Sequence, residues 1–140
     1  MKILALHFGV TCGLVGLIWL VQLVHYPSFR FVAPEDFRGF SLFHTTQITW
    51  VVAPLMICEL LLALRMPFEP SVSGWISGGA LGLLILIWLS TALLQVPLHG
   101  ILASGKESQV IERLVLTNWV RTVAWSLKAG LLGWGLLRHL

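Results

Sequence analysis

The sequence predicts an all-α integral membrane fold: an up-down-up-down four-helix bundle with a short interfacial helix between spans 1 and 2. Three observations predict it. Hydrophobic residues make up 57% of the 140 and charged residues only 11%, well outside the range of soluble domains. Four mostly apolar stretches follow one another, each near the roughly 20 residues a helix needs to cross a hydrocarbon core about 30 Å thick. The joints between them are short, so residues 1–140 read as a single four-span transmembrane domain.

Span 1 runs from about Ile3 to His25 and is expected to stop at Pro27, since proline disfavours helical geometry in the residue before it. Its Met-Lys start resembles a secretory signal. It is too long for one and carries Gln22, His25 and Tyr26 instead of a small-residue cleavage site, so it reads as a retained span. Gly9, Gly13 and Gly16 form small-residue spacing of the kind that lets a neighbouring helix approach closely. The segment Phe29 to Phe43 carries Pro34, Glu35 and Asp36 and then Phe37, Phe40 and Phe43 at three-residue spacing, the pattern of an amphipathic interfacial helix.

Span 2 runs from about His44 to Leu64 with an expected kink at Pro54, and Arg65 and Pro67 close it. Span 3 covers about Val72 to Leu98, and Gly100 to Ser108 makes a polar turn. Span 4 starts near Glu107, enters the bilayer around Leu114 and ends at Arg138. Short turns make sequential helices antiparallel neighbours and put both termini at one end, side A, opposite side B. Lys2, Arg65 and Arg138 on side A face Arg30, Arg38, Lys106 and Arg113 on side B, so the positive-inside count chooses no orientation. The expected location is a bacterial inner membrane.

The net charge of +3 could suggest nucleic acid, but the basic residues are scattered singly through apolar sequence and form no stripe. Nucleic acid is not an expected partner. Cys12 and Cys58 lie inside apolar stretches on different helices and suggest no disulfide framework. Membrane lipid and a small lipophilic substrate are the expected partners, and the glycine-rich first span makes a homo-oligomer a further one.

The alternating topology gathers polar residues at side B. His25, His44 and His99 come from three different spans, each with a glutamine on its own helix at three- or four-residue spacing: Gln22, Gln47 and Gln95. Span 4 adds Asn118, Arg121 and Thr122. Polar groups inside spans are costly and usually face the bundle interior, where they mark sites or pathways. Three imidazoles are candidate ligands of a transition metal (copper, iron or zinc, with haem less expected), and the glutamines and Thr122 would orient them from behind. Singly, each histidine is as well explained as an interfacial or packing residue, as are Tyr26, His7 and His139. Arg121 lies roughly 10 Å along the helix from Leu114 and needs a partner, either neighbouring polar groups or an anionic ligand. Glu59 and Lys128 lie about 22 to 24 Å from the side B ends of their helices, at matching depth, and suggest a structural ion pair.

Two segments carry a resemblance. Val96-Pro97-Leu98-His99-Gly100-Ile101-Leu102-Ala103 and Thr117-Asn118-Trp119-Val120-Arg121-Thr122 resemble the C-terminal half of the anthrone-oxygenase-like family of small four-helix membrane proteins. The first span, ending in His25-Tyr26-Pro27-Ser28-Phe29, is similar to that family's first helix. The resemblance implies oxygenation of a polycyclic phenolic anthrone to a quinone, with Asn118, Arg121 and Thr122 matching the family pattern. His99 stands where the family more often has Asn, and His25 and His44 lie outside the pattern.

These readings together predict a membrane-embedded oxidoreductase of oxygenase type, with Asn118, Arg121 and His99 as its catalytic residues. The rivals are a haem- or metal-binding membrane protein without turnover, and a bundle that passes a small solute or ion.

Overall fold

The computed structural model describes residues 1–138, and among these the chain is helical apart from short joints, with no strand. Four helices follow in order: α1 (Lys2–Phe31), α2 (Pro34–Phe68), α3 (Gly74–Leu102) and α4 (Ser108–Leu137). The first three are long and apolar enough to cross a membrane. The expected fourth span falls short of that apolarity, because α4 carries Glu112, Arg113, Arg121 and Lys128 among its apolar residues. His139 lies outside the described residues.

Direction alternates along the chain. The Met1 amino group donates to Ser71 Oγ (3.1 Å), which puts the start of α1 beside the α2–α3 joint. At the opposite end Lys106, in the α3–α4 joint, donates from Nζ to the carbonyls of Arg30 (2.8 Å) and Val32 (2.7 Å), capping the end of α1. Arg30 also grips Glu112 through Nε and Nη2, both at 2.6 Å, and this hydrogen-bonded pairing holds the Glu112 carboxyl below the usual carboxylate range.

Helix α4 packs along α1 and α3, α1 also lies against α2, and α2 meets α3 less closely. The small residues that permit close approach are not the predicted ones. A Cβ at Gly79 would stand 2.9 Å from Leu131, one at Gly133 3.1 Å from Phe8, and one at Gly135 3.2 Å from Ile76. Gly9, Gly13 and Gly16 instead face open space on the outer side of α1.

Two prolines change the predicted boundaries. Pro27 does not end α1, nor does Pro97 end α3: each helix widens into a π turn, Val21–His25 and Thr91–Gln95, and continues past its proline. A proline ring clashes with the carbonyl four residues back and removes a donor, and an extra residue in the preceding turn relieves both. The insertion also turns the helix. The inward face of α1 runs Leu4, His7, Thr11, Leu14, Ile18, and beyond the π turn it passes to Tyr26 and Phe29 rather than His25. In α3 the same displacement buries Gln95 and leaves Leu94 at the surface.

The amphipathic segment is not a separate interfacial helix. Pro34 starts α2 at its first turn with Glu35 and Asp36 beside it, a favourable arrangement for a helix N-terminus, and no strong breaker follows before Phe43. The helix therefore runs on through His44 and Pro54.

Near the other end, Glu59 and Lys128 are both fully buried and pair at 2.7 Å. Thr11 Oγ1 donates to Glu59 Oε1 (2.9 Å) and Trp125 Nε1 to Oε2 (3.0 Å), so one carboxylate takes two hydrogen bonds and an ion pair from α1 and α4. His7 is buried beside this cluster, its Nδ1 3.4 Å from Met66 Sδ, which corrects its expected interfacial place. It follows Leu4 and precedes Thr11 on the inward stripe of α1.

Breaking such a pair strands a charge. Glu59→Ala is expected to destabilise the protein by about 3–5 kcal/mol, and the paired change Glu59→Leu with Lys128→Met to recover most of the loss. Thermal unfolding in detergent checks this: equal midpoints for the single and double variants would show that no charge had been stranded.

Candidate functional site

The π turns and the capped ends place one polar region between the four helices. Its base is a network centred on α4. Asn118 Nδ2 donates to Gln22 Oε1 (2.8 Å), Thr122 Oγ1 donates to the same oxygen (3.2 Å), and Gln22 Nε2 donates to the Val115 carbonyl (3.0 Å). Arg121 donates from Nε to Asn118 Oδ1 (3.0 Å) and from Nη1 to Thr91 Oγ1 (3.3 Å), and its guanidinium lies 5.7 Å from the Trp125 ring centre. Among the described residues Arg121 has no acidic partner, although the side chain is buried.

Above this base the aromatic groups converge. Tyr26 OH hydrogen-bonds His99 Nε2 (3.0 Å), and His25 Nε2 shares a hydrogen bond with His44 Nδ1 (2.6 Å). The His44 and His99 rings are 5.2 Å apart. Phe29, fully buried, meets the His25, His44 and His99 rings edge-on at 5.6, 5.1 and 6.4 Å and holds their planes.

A cavity of about 420 Å³ opens sideways between α2 and α3, the pair of neighbours that pack least closely. Its apolar wall is formed by residues such as Ile48, Val52 and Met56 of α2 and Trp88 of α3. Tyr26, Thr91, Gln95, His99 and Arg121 supply its polar surface. The exposed side chains of Thr49, Ile57 and Val96 stand at its mouth.

Several predicted residues meet here and several do not. His25, His44 and His99 do converge, but among the described residues no three His, Cys, Asp or Glu side chains stand as a metal-holding set. The nitrogens of His25 and His44 that face each other are too close to share an ion. Two ligands with bonds of about 2.0 Å in tetrahedral geometry sit about 3.3 Å apart, against 2.6 Å here. As arranged, this pair of nitrogens does not bracket a copper, iron or zinc ion.

The glutamines do not orient the histidines. Gln22 serves α4, because in the wider π turn residues three apart no longer stack. Gln95 Nε2 donates to Thr117 Oγ1 (3.0 Å), and Gln47 is exposed on the outer face of α2. Asn118, fully buried, does not reach the cavity and holds Arg121 instead.

Tyr26, Phe29, Thr91 and Thr117 were not singled out as site residues in the sequence. For those on α1 and α3 the sequence carries one signal, a proline six residues after the start of a polar-containing turn in both helices; Thr117, on α4, has none.

A scan of protein families and searches of curated proteins and solved structures return no match to this chain. The resemblance noted above therefore rests on its quoted residues alone.

The two glutamines separate network from surface. Gln22→Ala leaves Asn118 and Thr122 without their shared acceptor and is expected to cost about 1–3 kcal/mol or more, whereas Gln47→Ala should stay within about 0.5 kcal/mol of the parent. Chemical denaturation in mixed micelles measures both, and an equal response would show that the buried network contributes nothing.

Proposed function

We propose that this chain is an integral membrane four-helix bundle, a single four-span domain over residues 1–140 set in a bacterial inner membrane. We infer that it acts as an oxidoreductase of oxygenase type on a small lipophilic substrate bound in the α2–α3 cavity. In this reading α4 turns exposed apolar residues such as Leu116, Val123 and Leu127 to lipid and keeps Asn118, Arg121 and Lys128 on its buried face. The sideways opening then faces the hydrocarbon, so a lipophilic molecule reaches the site without crossing water.

One observation carries the reading. Arg121 is a buried cation without an acidic partner among the described residues, and it lines a cavity that is otherwise mostly apolar. Removing a guanidinium from water is unfavourable by several kcal/mol unless a counter-charge or a full set of hydrogen bonds offsets it. Two side-chain hydrogen bonds and one aromatic face leave donors of its five N–H groups free. A ligand oxygen that carries or develops negative charge would complete them.

The residues at the polar surface divide the chemistry. Tyr26 and His99, already hydrogen-bonded, are placed to take a proton from the substrate. Arg121 stabilises the enolate or phenolate oxygen that results, and Asn118 fixes the guanidinium from behind as a positioning residue. In an oxygenase of this type dioxygen is the oxidant: a methylene becomes a carbonyl, one oxygen atom enters the product and the other leaves as water. The protein supplies the deprotonated substrate and a site from which bulk water is excluded.

Anthrone tests the proposal. Purified protein in detergent is expected to bind it and to convert it to anthraquinone with matching oxygen uptake above a protein-free control. Arg121→Gln should lower kcat/KM by about 100-fold or more, and Arg121→Lys should recover only part. Binding and oxygen uptake that ignore position 121 would sink the reading. Arg121-dependent binding without turnover would leave a lipophile-binding protein in place of an enzyme.

A further inference from the structure

The three imidazoles were expected to hold a metal, yet two of them are hydrogen-bonded to one another and the third to a phenol. The row they form runs from the cavity to the end of the helices. Tyr26 and His99 line the cavity, His44 is buried behind them, and His25 is only half-buried. We propose that Tyr26, His99, His44 and His25 form a path that carries a proton from the cavity to the outside, in place of a metal centre. The inference rests on the cavity reading above.

The tautomers can all run in one direction. A neutral imidazole has one donor and one acceptor nitrogen. With Tyr26 OH donating to His99 Nε2, the proton of His99 resides on Nδ1. That nitrogen is buried and has no hydrogen-bond partner among the described residues, and the same is true of His44 Nε2. Two imidazoles joined by an N–H···N bond of about 2.9 Å end to end have ring centres about 5 Å apart, and the His44 and His99 rings are separated by 5.2 Å. The path requires one ring to rotate about its Cβ–Cγ bond so that the two unpartnered nitrogens meet. His44 Nδ1–H then donates to His25 Nε2, where the 2.6 Å bond already exists.

The balance closes without a redox step. The substrate O–H or C–H proton passes to the Tyr26 oxygen as the phenol proton passes to His99 Nε2. His99 gives its Nδ1 proton to His44 Nε2, His44 gives its Nδ1 proton to His25 Nε2, and His25 releases its Nδ1 proton to water. Each group ends neutral, each imidazole with its proton moved from Nδ1 to Nε2, the substrate anion stays beside Arg121, and the reverse passage of a proton when the ligand leaves restores the starting tautomers. Phe29 packs edge-on against all three imidazoles and covers one side of the row.

The experiment follows proton release with a pH indicator in stopped flow, using 2-naphthol as a phenolic probe and full-length protein in detergent. Wild type is expected to release about one proton per naphthol bound as naphtholate. In His25→Ala the same amplitude should appear about tenfold more slowly or worse, and added imidazole should restore the rate; His44→Gln should be slow and unrescued. Wild-type release rates in both variants would overturn the path, as would copper, iron or zinc at about one per chain that is lost in His44→Gln. Naphthol binding that is indifferent to Arg121→Gln would instead overturn the cavity reading and the path with it, so the two failures are distinguishable.

Discussion

The Glu59–Lys128 pair sets the register on which the rest of the structure depends. The two side chains are fully buried and meet at 2.7 Å across the diagonal between α2 and α4, helices that run in the same direction. Fixing that one point fixes every other level along both. Arg121 lies seven residues before Lys128 and Val52 seven before Glu59, about 10 Å in each case, so both come to the same depth, and both line the cavity. Thr11 ties α1 to the same carboxylate, and eleven residues further along α1 Gln22 meets Asn118. A shift of α2 along α4 by one turn would part the charges and undo the cavity wall together.

The prolines act on rotation where the ion pair acts on translation. Pro27 and Pro97 each follow a π turn by the same interval, and each extra residue moves the inward face of its helix on by one position. Without that displacement α1 would aim His25 inward in place of Tyr26, and α3 would bury Leu94 in place of Gln95. The phenol of Tyr26 and the imidazole of His99 reach the cavity because two helices are locally over-long, while Thr91, at the start of its π turn, follows the inward face of Ile87 by ordinary spacing. π turns recur at functional sites for this reason: they turn a side chain without ending the helix.

The order and direction of the four long helices were legible in the sequence because they follow from the length of apolar runs and the shortness of joints. So was the depth match of Glu59 and Lys128, which needs only a count of residues. The rest depended on rotation about the helix axis, and a strict 3.6-residue period misplaces every residue beyond a π turn. Tyr26 therefore read as an interfacial anchor and Gln22 as a companion of His25, when it accepts from Asn118 and Thr122. The metal expectation arose from topology, which brings three imidazoles to one end. It could not foresee that His25 and His44 would spend their facing nitrogens on each other. The break after Phe43 was misplaced for a simpler reason: amphipathic spacing marks a change of environment, and a helix can cross that change unbroken.

The two buried cations of α4 differ in a way that separates structure from function. Lys128 faces a carboxylate that also takes a hydroxyl and an indole, so the cluster is closed: charge meets charge, and both carboxylate oxygens are occupied. Arg121 has no counter-charge among the described residues and opens onto space. Had selection required only a stable fourth helix, an apolar residue at position 121 would have served at least as well, because replacing buried ions by well-packed apolar groups is often neutral or stabilising. A cation held by Asn118 and Thr91, braced by Trp125 and aimed at an apolar cavity is unfavourable for folding alone. On the proposed reading, an anionic ligand oxygen would complete Arg121 and neutralise the charge in the cavity lining, so ligand affinity and the stability of the loaded protein would rise together.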